Sequence, residues 1–200
     1  MLTRRHLLLT PLAVAAAQSL TSSPAEAQGK PGNMTGNKAG KMSLAFHQNT
    51  STGAGYQKSL EGWGKAGIKY VELTSNLLDD FLKTETLATA KRVLTDNGLT
   101  PVSAACGAGG IFEPNPKRAE ALDNLKKRCE QFASLGLDRI YQPTASNAKF
   151  TEDDYKAVAS NMHEVAEIAS QYKLIFMVEA LRNSTLISTI YTLTQVTRAA

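Results

Sequence analysis

The sequence predicts an α/β fold built on a parallel sheet, and three observations carry that prediction. From residue 43 onward, short apolar segments alternate with longer helical ones, five times in succession. The short segments are continuous apolar runs, as strands buried on a parallel sheet are. The longer segments place apolar residues three or four positions apart, which is one buried face of a helix. Each strand–helix unit takes about 32 residues, close to one eighth of a ~250-residue barrel. The same alternation also builds an open, doubly wound sheet, so both closures stand at this level.

Taken in order, Ser43 to His47 ("SLAFH") is the first strand. Tyr56 to Lys65 is helical, with Gly67 as its stop. "IKYVEL", Ile68 to Leu73, is the second strand. A helix from about Thr84 to Asp96 closes at Asn97-Gly98. "LTPVSAAC", Leu99 to Cys106, is the third strand. A long helix from Pro116 to Leu135 follows, burying Ala119, Leu122, Leu125, Cys129, Phe132 and Leu135. "DRIYQP" is a short fourth strand. The helix from Glu152 to Tyr172 buries Tyr155, Val158, Met162, Val165, Ile168 and Ala169. "KLIFMVEAL" is the fifth strand, and a last helix starts near Ser184 or Thr185.

The ends and the composition narrow the class. Residues 1–27 have Arg4 and Arg5, an apolar stretch from Leu7 to Ala17, and Ala25-Glu26-Ala27 as a small-x-small cleavage pattern. That apolar stretch is too short to span a bilayer, so it reads as a signal peptide. The paired arginines resemble a twin-arginine signal, although Leu7 and Leu9 stand where Phe and Lys are usual. A general secretory signal is the alternative, and either one sends the mature protein to the periplasm. Residues 28–41 are Gly, Asn, Lys and Pro with little that is apolar, a flexible linker. The folded domain is expected over 42–200. A net charge of +4 is spread along the chain without a Lys/Arg block, which argues against a nucleic-acid partner. Cys106 is expected at a strand end and Cys129 about three turns down the next helix, so the two are read as packed thiols and not as a disulfide.

In either closure, function gathers at the C-terminal ends of the strands. His47, Gln48 and Asn49 follow the first strand; Glu72, Thr74 and Asn76 the second; Cys106 and Gly107 the third. Gln142 ends the fourth, and Glu179, Arg182 and Asn183 the fifth. Each alone is as well explained by a loop hydrogen bond, but together they describe one polar rim. Other motifs are incomplete. Gly53-Ala54-Gly55 lacks the third glycine of a dinucleotide fingerprint, since Lys58 occupies that place. Gly107-Ala108-Gly109-Gly110 has Phe112 where such a fingerprint needs glycine. His163-Glu164 lacks the second histidine of a zinc-protease helix, and His163 is read as a surface residue. Asp79-Asp80 is read as a helix-terminus charge in a loop.

"KAGIKYVEL", with its Gly-x-x-x-Val-Glu-Leu, and "MVEALRN" at the end of the fifth strand resemble the xylose isomerase-like superfamily of sugar isomerases and epimerases. The resemblance covers Ser43 to Ala200. It implies a (β/α)8 TIM-barrel fold and a small-molecule sugar or sugar phosphate as partner. It also implies a divalent metal, Mn, Mg, Co or Zn, held by Glu, Asp, His and Glu at strand ends. Glu179 then matches the first metal ligand and a catalytic carboxylate that moves a proton next to the substrate carbonyl. His47 and Glu72 match sugar-pocket positions. Arg182 and Asn183 match a substrate-binding pair, in exchanged order relative to the usual Glu-x-Leu-Asn-Arg. The other three ligands would follow the fifth strand, and only five of eight units are present. The expectation is therefore an incomplete, inactive chain with exposed strand edges, prone to aggregate or to form a homo-oligomer. The superfamily also includes endonucleases for abasic sites, against which the export signal and low charge argue. Two further readings stand beside it: an exported sugar-binding protein without catalysis, and a doubly wound domain binding a nucleotide through Gly53 to Gly55.

Overall fold

The computed structural model describes residues 42–200, and the expected signal peptide and linker lie outside the described residues. Five strands form one parallel sheet: β1 (Ala45–His47), β2 (Tyr70–Thr74), β3 (Thr100–Ala105), β4 (Arg139–Pro143) and β5 (Ile175–Glu179). Their spatial order is β1-β2-β3-β4-β5, the same as their order in sequence. A doubly wound sheet reverses direction at a switch point, where its nucleotide sits. This sheet has no reversal, so the doubly wound reading fails and the barrel sense of winding stands.

Six α-helices connect and follow the strands: α1 (Gly55–Lys65), α2 (Ser75–Phe81), α3 (Leu87–Asp96), α4 (Arg118–Ser134), α5 (Glu152–Gln171) and α6 (Ile190–Ala199). Three begin on a threonine whose hydroxyl accepts an N–H of the first turn: Thr86, Thr151 and Thr189. Thr151 and Asp154 form a reciprocal capping box. The third-strand connection leaves α4 through Gly136, whose φ of 93° only glycine adopts freely.

Alternation along the strands separates two faces. Val71 and Leu73 of β2, Ala104 of β3 and Ile140 of β4 are fully buried beneath the helices. They meet Leu60, Leu78, Leu94, Leu125, Phe132, Val158 and Val165 in one contiguous core. The intervening positions, Tyr70, Glu72, Tyr141 and Met177, point to the opposite, concave face and are only half-buried.

Several expectations are corrected. Two helices, α2 and α3, occupy the region read as a loop and one helix, because Leu77, Leu78 and Phe81 already make an apolar face directly after β2. Asp79 therefore lies inside α2, and it pairs with Arg128 of α4 through both carboxylate oxygens. The last helix starts at Ile190 and not at Ser184 or Thr185, because those two side chains bond the loop after β4. Ala119 is exposed and Ala121 takes its place on the buried face of α4. Leu122 and Tyr155 are half-buried. Cys106 and Cys129 are both free and buried, as expected. Burial pushes their thiols up to about 12 and about 11. Among the described residues no helix is long and apolar enough to cross a membrane.

Candidate functional site

The concave face receives one polar side chain from each strand. They are His47 of β1, Glu72 of β2, Ser103 of β3, Tyr141 of β4 and Glu179 of β5. Glu72 stands at the centre. The Tyr141 hydroxyl donates to Glu72 Oε1 at 3.0 Å, and the Ser103 hydroxyl donates to Glu72 Oε2. His47 Nε2 lies 3.2 Å from Glu72 Oε1 and 2.9 Å from the Tyr141 oxygen.

The backbone explains why these groups meet. Opposite Val71 stands Pro101, which has no N–H to give the ladder, and the register slips there. Beyond the slip Glu72 faces Ser103, so a bulge sets the serine beside the carboxylate. The His47–Tyr141 contact requires more. In a flat sheet β1 and β4 would stand about 14 Å apart, three spacings of ~4.8 Å. Contact at 2.9 Å between their side chains needs a sheet curled toward this face, as in a barrel.

The direction of the hydrogen bonds is fixed from the β1 end. The Asn49 backbone N–H donates to His47 Nδ1 at 3.0 Å and caps the single 3-10 segment, Gln48–Ala54. An Nδ1 that accepts carries no proton, so the ring hydrogen sits on Nε2 and donates to the Tyr141 oxygen, with the Glu72 carboxylate 3.2 Å away. Two hydroxyls, those of Tyr141 and Ser103, thus donate to the two oxygens of the Glu72 carboxylate. Burial, followed by the negative charges of Glu72 and Glu179, raises the Tyr141 phenol well above its usual range, so it stays a donor.

Glu179 ends the edge strand β5 and is exposed. It lines a cavity of about 460 Å³ together with Glu72, Tyr141 and Met177 on one side and Ile190 and Leu193 of α6 on another. The site therefore has acceptors on the strand side and an apolar wall on the helix side. Arg182 and Asn183 lie exposed on the loop after β5 and do not line this cavity. Of the five candidates, then, the fold brings His47, Glu72 and Glu179 together and leaves Arg182 and Asn183 at the rim. Gln142 faces away, its side-chain oxygen accepting the Ala108 N–H at 3.0 Å, and so braces the loop after β3. His163 is exposed on α5, in keeping with a surface role. Tyr141 and Ser103 were not singled out in the sequence; alternation from buried Ile140 places Tyr141 on the concave face.

Among the described residues, no three His, Cys, Asp or Glu side chains stand close enough to share a metal ion. Glu179 offers one carboxylate, whereas a divalent ion needs several ligands. These residues by themselves do not fit a metal, and no chemical step is drawn through one.

A parallel sheet wound in one sense, curled around polar side chains at the C-terminal strand ends, defines a TIM-barrel-type protein. The model of the xylose isomerase-like TIM barrel family matches residues 64–200, and the chain belongs to that family. A comparison with curated proteins finds no match. Among solved structures, a xylose isomerase domain protein from Alicyclobacillus acidocaldarius is similar at 15% identity and a TM-score of 0.66, over 78% of this chain and 59% of that one. An IolI protein with a binding zinc atom is similar at 18% identity and a TM-score of 0.66, over 78% and 58%. A D-allulose 3-epimerase from Methylomonas in complex with D-allulose is similar at 16% identity and a TM-score of 0.63, over 78% and 57%. The chain spans less than two thirds of the length of each of these structures.

Proposed function

We propose that this protein is an exported sugar or sugar-phosphate isomerase or epimerase, acting by proton transfer at the carbon next to a carbonyl. The observation that carries the reading is the cavity shared by Glu72, Tyr141 and Glu179. A zinc-bound and a sugar-bound neighbour of the same fold support it.

In this reading Glu179 is the mobile-proton carboxylate. It is exposed to an incoming substrate and ends a strand, where barrel chemistry gathers. Glu72 plays a different part. Its oxygens already accept from Ser103 and Tyr141, so it holds sugar hydroxyls in place and does not abstract protons. Arg182 and Asn183 reach the substrate from the loop. Glu179 would supply one ligand to a divalent ion, Mn, Mg, Co or Zn, which these residues by themselves do not hold. The bound ion would stabilise negative charge on the substrate oxygens.

The test is proton exchange. The protein from its complete reading frame is incubated with D-allulose and manganese in deuterated water, and deuterium at the carbons flanking the carbonyl is followed by NMR. We expect metal-dependent incorporation that falls by about 10²-fold or more in Glu179→Gln. Incorporation at the parental rate in that variant would remove Glu179 from the chemistry. A second reading, a sugar-binding protein without catalysis, is favoured by how fully Glu72 is partnered. D-allulose binding without any deuterium incorporation decides for it.

A further inference from the structure

We propose that Thr144 is a positioning residue that fixes Glu179 and the loop behind it; the proposal rests on the reading of Glu179 as a substrate-facing carboxylate. Thr144 follows β4, is 1% exposed, and touches the β5 chain twice. Its backbone N–H donates to the Glu179 carbonyl at 3.0 Å. Its hydroxyl lies 2.9 Å from the same carbonyl oxygen and 3.0 Å from the Ile187 carbonyl oxygen.

Glu179 and Ile187 are the two ends of one loop. The Leu181 N–H also donates to the Ile187 carbonyl, at 3.1 Å, so the ends close on each other as well as on Thr144. A second buried hydroxyl locks the arrangement from the other side. Ser184 Oγ donates to the Thr144 carbonyl and accepts the Leu186 N–H at 3.1 Å. Compact surface loops with adjoining ends are a common carrier of functional groups. This one has Glu179 at its base and Arg182 and Asn183 exposed between its ends.

The chemistry of the clasp is specific to a hydroxyl. Thr144 shares one hydroxyl proton between two carbonyls, so removing it leaves each with a backbone donor alone, the Thr144 N–H for Glu179 and the Leu181 N–H for Ile187, and unties the two loop ends from a common side chain. Valine keeps the shape and loses the donor; serine keeps the donor and loses a methyl. Loss of the clasp frees Glu179 to shift, and a displacement of ~1 Å in a reacting group costs about 10²-fold in rate.

The experiment compares Thr144→Val, Thr144→Ser and Ser184→Ala in the full-length protein. Amide hydrogen exchange is read over residues 179–187, and kcat and KM are measured for D-allulose. In Thr144→Val we expect exchange in that loop to rise about tenfold or more, with helix α4 unchanged. We also expect kcat to fall more than tenfold while KM moves little. Thr144→Ser restores both. If the valine variant does not fold, Ser184→Ala carries the same expectations. Unchanged exchange in the loop, or an unchanged kcat beside a loosened loop, overturns the proposal. Parental turnover in Glu179→Gln overturns the reading of Glu179 instead, and exchange alone then decides whether Thr144 holds the loop.

Discussion

The two faces of the sheet are made of the same strands and do opposite work. On the helix side, Val71, Leu73, Ala104 and Ile140 have no exposed surface and belong to one apolar core. On the concave side, one residue along, His47, Glu72, Ser103 and Tyr141 are joined by hydrogen bonds, and Glu72, Tyr141 and Glu179 line a cavity. The period of two makes this division automatic, since neighbours in a strand cannot share a face. Burial of apolar area holds the fold, so the helix side carries stability. The concave side gives up close packing for a fixed set of donors and acceptors. Substitutions should therefore separate: large in stability on one face, large in ligand binding on the other.

The largest stability effect is expected deep on the helix side. Phe132 of α4 is fully buried, and Phe132→Ala removes an aromatic ring from the contiguous core. A loss of about 3–5 kcal/mol is expected in urea unfolding. A loss below ~1 kcal/mol would show that the core does not carry the fold.

Next comes a charge pair on that side whose arginine is buried. Arg128 is nearly buried, and Asp79 receives both of its terminal nitrogens at 2.5 Å. The hydrogen bond from Arg128 holds the Asp79 carboxyl below its usual range, aided by the charges of Arg128, Lys127 and Lys83. Asp79→Asn leaves the guanidinium charge without its counterpart. Because the Asp79 side chain is itself 35% exposed, about 2 kcal/mol is expected and not the full cost of a buried pair. The pH dependence has a definite sign. A carboxyl depressed in the folded state contributes its full stability above the ordinary carboxylate range and loses it as pH falls through the depressed folded value. The gap between parent and Asp79→Asn should be widest near neutrality and close in acid. A gap that grows on acidification would mean that Asp79 does not act through its charge.

Most of the fold could be read from the chain, and the misses share a cause. Local pattern was enough for all five strands, for α1, and for α4 and α5, where apolar residues step by three or four over many turns. It failed where a segment is organised by distant partners. The 3-10 segment after β1 is Gln48 to Ala54, a polar run with no period, and it is pinned through the buried Gln48, whose side-chain oxygen accepts the Thr74 N–H at 3.3 Å from 26 residues away. Ser184 looked like a helix start because an N-terminal cap is what a serine before an apolar run usually provides. Its hydroxyl instead bonds the Thr144 carbonyl, 40 residues away in sequence. The site divided in the same way. His47, Glu72 and Glu179 are polar residues that end apolar strands, a visible signal. Tyr141 and Ser103 sit within strands, and only the sheet's curvature and the slip at Pro101 bring them to Glu72.

The smallest stability effect, and the sharpest contrast, belongs to Tyr141. Tyr141→Phe keeps the ring on the concave face and removes the hydroxyl that stands between His47 and Glu72. The carboxylate keeps the Ser103 hydroxyl as a donor, with the His47 ring 3.2 Å away. The side chain is half-buried, and water replaces part of what is lost. About 0.5–1 kcal/mol in urea unfolding is expected, well below Phe132→Ala. If the proposed function holds, affinity for D-allulose should fall further than stability does, by about tenfold in titration calorimetry, since the freed Glu72 oxygen is no longer held at one angle. A Tyr141→Phe protein that loses as much stability as Phe132→Ala, while binding sugar like the parent, would reverse the division between the two faces. The concave network would then be part of the scaffold, and the binding determinants would have to be sought on the loop that carries Arg182 and Asn183.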